Sequence, residues 1–199
     1  MSSETEKDGF LARARGNGAF RRSTIARHLR GWWHVKVGPA AIRLILLLLL
    51  STTFVETAQA GAFAAAERAY ARQNYVRAAE IFGPLSEQGD PIAQTYLGIM
   101  YYRGQGVPQN FNVATYWLHI ASRAGVPTAQ YFLGLMYDKG QGVPQDFVYA
   151  HAWLNLAVAH AEPRLRSRWV LIRDAVASKM SEAQLFEARR LAYAWQPDP

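Results

Sequence analysis

The fold is decided by one stretch of sequence, Gly104–Gln109 (GQGVPQ), because the same six residues return as Gly140–Gln145. Trp117 likewise returns as Trp153, so both features recur at an offset of 36 residues. A period in the thirties is typical of stacked helical units that bury a continuous core between neighbours. Stacks of this kind usually form a binding surface, so the repeat favours an interaction protein over an enzyme.

Helix starts are marked by prolines in phase, Pro91, Pro127 and Pro163, at the same spacing of 36 residues. Proline suits the first turn of a helix, where its missing N–H has no intrahelical partner to lose. The first helix of each unit is therefore predicted over about Pro91–Tyr102 and Pro127–Asp138. The mid-helix glycines within these ranges predict the close approach of a neighbouring helix.

Second helices follow the glycine-rich loop, with Asn110 and Asp146 as their predicted N-caps. Their predicted buried stripes are Phe111, Ala114, Trp117 or Leu118, and Ala121 in one unit, and Phe147, Ala150, Leu154 and Ala157 in the next. The 36-residue spacing continues toward the N-terminus, where it predicts a second helix over Tyr75–Gln88 and a partner helix over Phe63–Arg72. Forwards, a helix is predicted from Pro163 to about Lys179, and a capping box at Ser181 opens a last helix that ends near Trp195.

Charge is uneven along the chain of 199 residues, whose formal net charge is +7. Residues 1–60 carry nine Lys/Arg and four Asp/Glu, whereas residues 61–199 carry thirteen and eleven. The repeat region is nearly neutral, so we predict no nucleic-acid partner. The chain contains no cysteine, which excludes disulfides, thiolate metal sites and a cysteine nucleophile.

The N-terminal region has the features of a signal peptide. A short apolar core at 44–55 follows the basic residues Lys36 and Arg43, and the small residues Ala58 and Ala60 suit a cleavage site after Ala60. The apolar run is shorter than the roughly 20 residues that a spanning helix needs. We therefore expect a periplasmic or secreted bacterial protein; the alternative is an uncleaved anchor in the inner membrane, with the basic arm in the cytoplasm.

The pattern from Ala93 through the loop to Gly125, repeated from Ala129 to Ala157, resembles the Sel1-like repeat family, relatives of the tetratricopeptide repeat. The resemblance implies an all-α, right-handed α-solenoid of antiparallel helix pairs with a concave face made by the first helices. It implies adaptor and scaffold roles. Two departures are Val126 in place of a capping Asp, and Ala161 in place of a closing Gly.

The predicted organisation has three parts. Residues 1–60 form the basic extension and signal peptide. Residues 61–161 form a short unit (61–89) and two full units (90–125 and 126–161). Residues 162–199 form C-terminal capping helices.

The sequence contains few residues in the arrangements that catalysis or metal binding requires. His119, His151 and His160 lack the spacing of a metal site, and Asp138 and Asp146 suit a solvated turn and a helix cap. We predict no catalytic residue, no cofactor and no metal. Positions that do not repeat between the first helices are expected to set the specificity of a binding surface. The candidate partner-binding residues are Gln94, Thr95, Tyr102, Arg103, Gln130, Tyr131, Asp138 and Lys139.

These observations favour a non-catalytic, exported scaffold that binds a protein or peptide. The first alternative is an envelope enzyme or glycan-binding accessory that acts on peptidoglycan, which an acid such as Asp138 close to His119 would favour. The second alternative is a membrane-anchored regulator with a cytoplasmic basic arm. A membrane contact is expected only through the N-terminal segment, if that segment is uncleaved.

Overall fold

The computed structural model describes residues 59–195, all of which belong to the second of two units of the chain, Val55–Pro199. The predicted basic extension and signal core lie outside the described residues. Residues 59–195 form eight α-helices and no strand. The helices are α1 (59–71), α2 (Tyr75–Glu87), α3 (Pro91–Arg103), α4 (Phe111–Arg123), α5 (Pro127–Lys139), α6 (Phe147–Ala159), α7 (Pro163–Ala177) and α8 (Glu182–Ala194).

The helices pack in the order in which they occur, from α2 on α3 to α6 on α7, and α3 also contacts α5. This arrangement confirms the predicted all-α repeat solenoid. The predicted helix ends lie close to the observed ones. The first helix of the short unit starts earlier than the predicted Phe63, since residues 59–71 are helical.

Helix termini follow the capping residues. The Asp90 side chain accepts hydrogen bonds from the backbone N–H groups of Ile92 and Ala93, both at 2.8 Å, and Asp146 caps α6 in the same way. Val126 cannot accept such a bond, so α5 begins without a side-chain cap. The chain nevertheless turns at the same place because Pro127 occupies the first helical position.

The mid-helix glycines are contact points between paired helices. A Cβ built on Gly98 would lie 2.7 Å from Leu118 Cγ, and one on Gly134 would lie 2.7 Å from Leu154 Cγ. Any side chain there would therefore push the second helix away from the first. Leu118 and Leu154 are fully buried, so these close contacts form the centre of each helix pair.

Each glycine-rich loop packs against the preceding unit. Gly106 (φ +72°) and Gly142 (φ +72°) are in the left-handed region that favours glycine. A Cβ on Gly106 would overlap the Tyr75 carbonyl, and one on Gly142 would overlap the carbonyl of Phe111. Tyr75 and Phe111 each begin the second helix of the unit before the loop. The repeated loop thus joins one unit to the next.

The C-terminal helices leave the repeat pattern. Both α7 and α8 pack on α6, and the indole rings of Trp195 and Trp153 stack with their centroids 4.5 Å apart. The predicted capping box is confirmed, since Ser181 and Gln184 exchange hydrogen bonds between side chain and backbone. The last helix therefore covers the second helix of the last full unit.

Candidate functional site

Three of the eight candidate residues lie inside the packing. Gln94 and Gln130 are 4% and 1% exposed, and their side-chain amides donate to the backbone carbonyls of Ser86 and Ser122 at 3.1 and 3.2 Å. Thr95 is 5% exposed and its hydroxyl donates to a carbonyl of its own helix. The two glutamines connect each first helix to the preceding second helix. These three residues are therefore removed from the candidate surface.

The other five, Tyr102, Arg103, Tyr131, Asp138 and Lys139, remain partly or fully exposed. The structure does not test their role in partner binding, which stays a prediction. Four of them occupy the last turns of α3 and α5, where the loop returns along the helix end. The fifth, Tyr131, lies in the first half of α5.

Aromatic rings connect these positions into one row across three first helices. The Phe132 ring lies 5.6 Å from the ring of Tyr102 on α3 and 5.6 Å from that of Tyr131. The Tyr131 ring in turn stacks on Trp169 of α7, with centroids 4.7 Å apart and planes 12° apart. Phe132 and Trp169 are buried, so the accessible parts of this aromatic row are the two tyrosines.

Cations flank the aromatic row. The Arg103 guanidinium lies over the Phe132 ring, 5.5 Å from its centroid, while the Arg103 side chain is exposed. Lys139 occupies the equivalent position in the next unit and is also exposed. An exposed edge of tyrosine and arginine is typical of protein interfaces, where rigid aromatic area combines with charged donors.

Asp138 is already paired. Its carboxylate lies 2.7 Å from the Lys179 ammonium, which also lies 5.1 Å from the centroid of the Phe147 ring. The Asp138 side chain is 17% exposed, so the pair is partly shielded from solvent. The ion pair connects the turn between α7 and α8 with the C-terminal end of α5. The His119 ring, in contrast, packs edge-to-face against Trp153.

Glutamine side chains of the loop hold the ends of the first helices. Gln109 donates to the carbonyl of Tyr102 at 2.9 Å, and Gln145 donates to the carbonyl of Asp138 at 2.7 Å. These bonds satisfy carbonyls that would otherwise lack partners at a helix C-terminus. The same kind of hydrogen bond therefore holds the C-terminal ends of α3 and α5, where four of the candidate residues lie.

The surroundings of two second-helix histidines lower their pKa values. Burial lowers the pKa of His119 below its ordinary value, and the nearby Arg123 adds to this effect. Burial also lowers the pKa of His151, with Arg173 and Arg189 acting in the same direction and Asp174 opposing them. His151 is 5% exposed and its Nδ1 atom has no hydrogen-bond partner among the described residues.

Within residues 59–195, no three His, Asp or Glu side chains converge as a metal ion would require. No helix in this described part of the chain is long and apolar enough to cross a bilayer. A cavity of about 580 Å³ lies at the α1 end of the stack, lined by Gln59, Ala60, Phe63, Leu85, Gln88, Gly89 and Asp90.

Sequence reasoning missed three residues that contact the candidate positions, namely the buried Phe132 and Trp169 and the exposed Lys179. Phe132 is in phase with Tyr96, so it has the signature of a core position in both repeats. Trp169 is a large aromatic residue on α7, the helix that begins at Pro163 in phase with Pro91 and Pro127, so the sequence did offer a signal for it. No local signal connects Lys179 with Asp138, 41 residues earlier in the chain.

Comparison with known proteins identifies the class. The Sel1 repeat family matches residues 91–126 and 127–161. A protective antigen of uropathogenic Escherichia coli strains, which displays an SLR (Sel1-like repeat) fold, superimposes with a TM-score of 0.60 at 29% identity over 70% of this chain. The chain therefore carries two Sel1 repeats, and its fold is similar to that of an SLR-fold protein.

A Sel1 repeat protein from Oxalobacter formigenes is 36% identical over 45% of this chain, with a TM-score of 0.44. This chain spans 29% of the length of the first protein and 26% of the second. No curated protein matches the chain. Repeats of this class generally mediate protein–protein interactions.

Proposed function

We propose that this protein is an exported, non-catalytic scaffold that binds a protein or peptide through the first-helix face of its Sel1 repeats. The observation that carries the proposal is the aromatic row of Tyr102, Phe132, Tyr131 and Trp169, flanked by the exposed Arg103. The row lies on a backbone fixed by repeated hydrogen bonds, while its side chains differ between units. Such a surface supports selective binding at a small entropic cost.

Export is proposed from the N-terminal sequence alone, namely the apolar core at 44–55 and the small residues before Gly61. A mature N-terminus at Gly61, measured by mass spectrometry on the purified protein, would support a cleaved signal and remove the anchored-regulator alternative. A mature chain that keeps residues 1–60 would reverse that conclusion.

The peptidoglycan-enzyme alternative gains no support from the geometry. The Asp138 carboxylate is occupied by Lys179, and the His119 ring faces Trp153. An acid–base pair needs a direct or water-bridged approach of the two groups to the substrate. Turnover of an envelope substrate by the purified protein, abolished by one side-chain change, would nevertheless refute the non-catalytic proposal.

The direct test is crosslinking in living cells followed by purification through a C-terminal tag. The site variant is Tyr131→Ala with Lys139→Glu, and its matched control on the second helices is Tyr116→Ala with Arg123→Glu. Both variants remove one tyrosine and reverse one exposed charge. Thermal unfolding checks that each remains folded.

A single protein partner that is lost from the site variant and kept by the control would support the proposal. A partner kept by both variants would refute the assigned face. Enrichment of glycan fragments instead of a protein would favour the peptidoglycan alternative.

A further inference from the structure

Charge within the described residues is concentrated at the C-terminal end. Residues 162–195 carry seven Lys/Arg and four Asp/Glu, whereas residues 59–161 carry six and six. The end formed by α7 and α8, with the Glu162 that precedes α7, therefore has a net charge of +3, and the rest of the stack has none. Arg164 is paired with Glu162 at 2.8 Å, whereas Arg166 and Arg168 on α7 are exposed and form no ion pair with a described residue. A basic end on a nearly neutral body attracts an anionic partner to that end.

The outward face of α8 is apolar at two positions. Phe186 is 72% exposed and Tyr193 is 80% exposed, and their spacing of seven residues places them on one side of the helix. Ala188 and Ala192, on the opposite side, are buried where α8 packs on α6. Two large side chains thus protrude from the last helix with no described residue covering them.

Arginines accompany this apolar face. Arg190 forms a two-point ion pair with Glu187, with N–O distances of 2.8 and 2.6 Å. Arg189 is exposed and forms no ion pair with a described residue, so its charge is available to an anion. Glu182 and Glu187 make α8 itself neutral, and the long-range attraction comes from α7. The outward face of α8 provides the short-range apolar contact.

We propose that the outward face of α8 binds an anionic lipid surface, with Phe186 and Tyr193 inserted at the interface and Arg189 at the headgroups. Aromatic side chains favour the boundary between headgroups and acyl chains, and basic residues are attracted to anionic lipids. The contact is peripheral and adds a second surface to the first-helix face. It does not depend on the protein-binding proposal.

Shape and charge favour a lipid surface over the other occupants. The two side chains form a protruding ridge, which a flat and deformable surface can accept, whereas a bound peptide usually needs a groove to bury its own side chains. Two copies of this chain would bring two basic ends together, and like charges oppose that pairing. A bilayer supplies both an apolar interior for the ridge and a negative surface for the arginines.

The test uses the absence of cysteine from the full chain. Tyr193→Cys, labelled with a polarity-sensitive fluorophore, reports the surroundings of α8. Tyr116→Cys, labelled in the same way, is the matched control, because Tyr116 is 59% exposed on α4. Each labelled protein is mixed with vesicles of phosphatidylglycerol and phosphatidylcholine, or of phosphatidylcholine alone. Any binding through the N-terminal segment is the same in both proteins.

The label at position 193 should shift to the blue with phosphatidylglycerol vesicles only, and the label at 116 should not shift. In the Tyr193-labelled chain, Arg168→Gln with Arg189→Gln should weaken the vesicle affinity about fivefold for each charge removed. An unshifted label at 193, or equal shifts at both positions, would overturn the proposal. A shift with poly-glutamate but not with vesicles would assign the face to an acidic peptide, and a lipid-independent shift that grows with protein concentration would assign it to a second copy.

Discussion

Replacing the second glycine of each repeated loop should destabilise the protein more than replacing the first, although both glycines recur in the sequence in the same way. Gly140 (φ +66°) and Gly142 (φ +72°) both occupy the left-handed region. Alanine in this region costs about 1–2 kcal/mol, and this cost applies to both positions. The entropy that alanine removes from the unfolded chain is also the same at both. The two variants therefore differ only in what the new methyl group contacts.

At Gly140, the methyl group would lie 3.2 Å from Gln145 Cβ, a side-chain atom of the same loop. At Gly142, it would overlap the Phe111 carbonyl and lie 2.6 Å from Thr115 Oγ1, both on the preceding unit. The backbone of the loop or of α4 must then move, which costs about 1–3 kcal/mol. We expect Gly140→Ala to lose about 1–2 kcal/mol of unfolding free energy, and Gly142→Ala to lose about 1–3 kcal/mol more.

The assay is urea unfolding followed by circular dichroism at the helical band, with the free energy taken from the midpoint and slope. Gly104→Ala and Gly106→Ala provide an independent pair, because a Cβ on Gly106 would lie 2.6 Å from the Val76 nitrogen. Equal losses of free energy within either pair would refute the view that the second glycine is required by the contact between units.

Three further predictions concern single residues. Gly83→Ala should not give the gain of about 0.5–1 kcal/mol that alanine usually brings to a helix interior, because Pro84 follows it and a proline ring disfavours helical backbone at a preceding residue that has a Cβ; a clearly higher Tm would contradict this. Gln130→Leu should cost about 0.5–1.5 kcal/mol in urea unfolding, since it removes the amide bond to the Ser122 carbonyl, which keeps the Gly125 N–H as its other donor; a neutral result would show that the bond contributes little. Acid should weaken the wild-type protein through His151, whose folded pKa lies below its unfolded value of about 6.5. As the pH falls, the unfolded chain takes up this proton before the folded chain does, so the stability is intact above the unfolded pKa and is lost as the pH falls through it. His151→Gln should therefore lose less stability than the wild type between neutral pH and pH of about 5. Identical pH profiles would exclude His151 as the cause.

The sequence predicted the helices well because their signals are local. Pro91 and Pro127 mark helix starts, and Asp90, Asn110 and Asp146 cap helices where the pattern placed them. Periodicity also predicted the tight helix pairs, since a mid-helix glycine is costly unless a neighbour needs the space. These features depend on residues only a few positions apart.

The exposure of the candidate binding residues was predicted less well. Polar residues such as Gln94 and Thr95 suggest a solvated face, yet a first helix in this stack contacts the helices before and after it and the next first helix. Their burial depends on three neighbouring helices, which no single-helix pattern describes. The same reason explains why Trp117 is only partly buried, whereas Leu118 beside it is fully buried.

By itself, the sequence determined that this protein is a stack of helix pairs with a 36-residue period, because the loop glycines, the mid-helix glycines and the prolines at helix starts recur in phase. Only the tertiary structure decided which side chains face solvent. It paired Asp138 with Lys179, joined Tyr102 to Trp169 through two intervening rings, and turned Phe186 outward on α8. Local signals encode how a helix begins and ends, whereas exposure depends on residues that are distant in the chain and close in space.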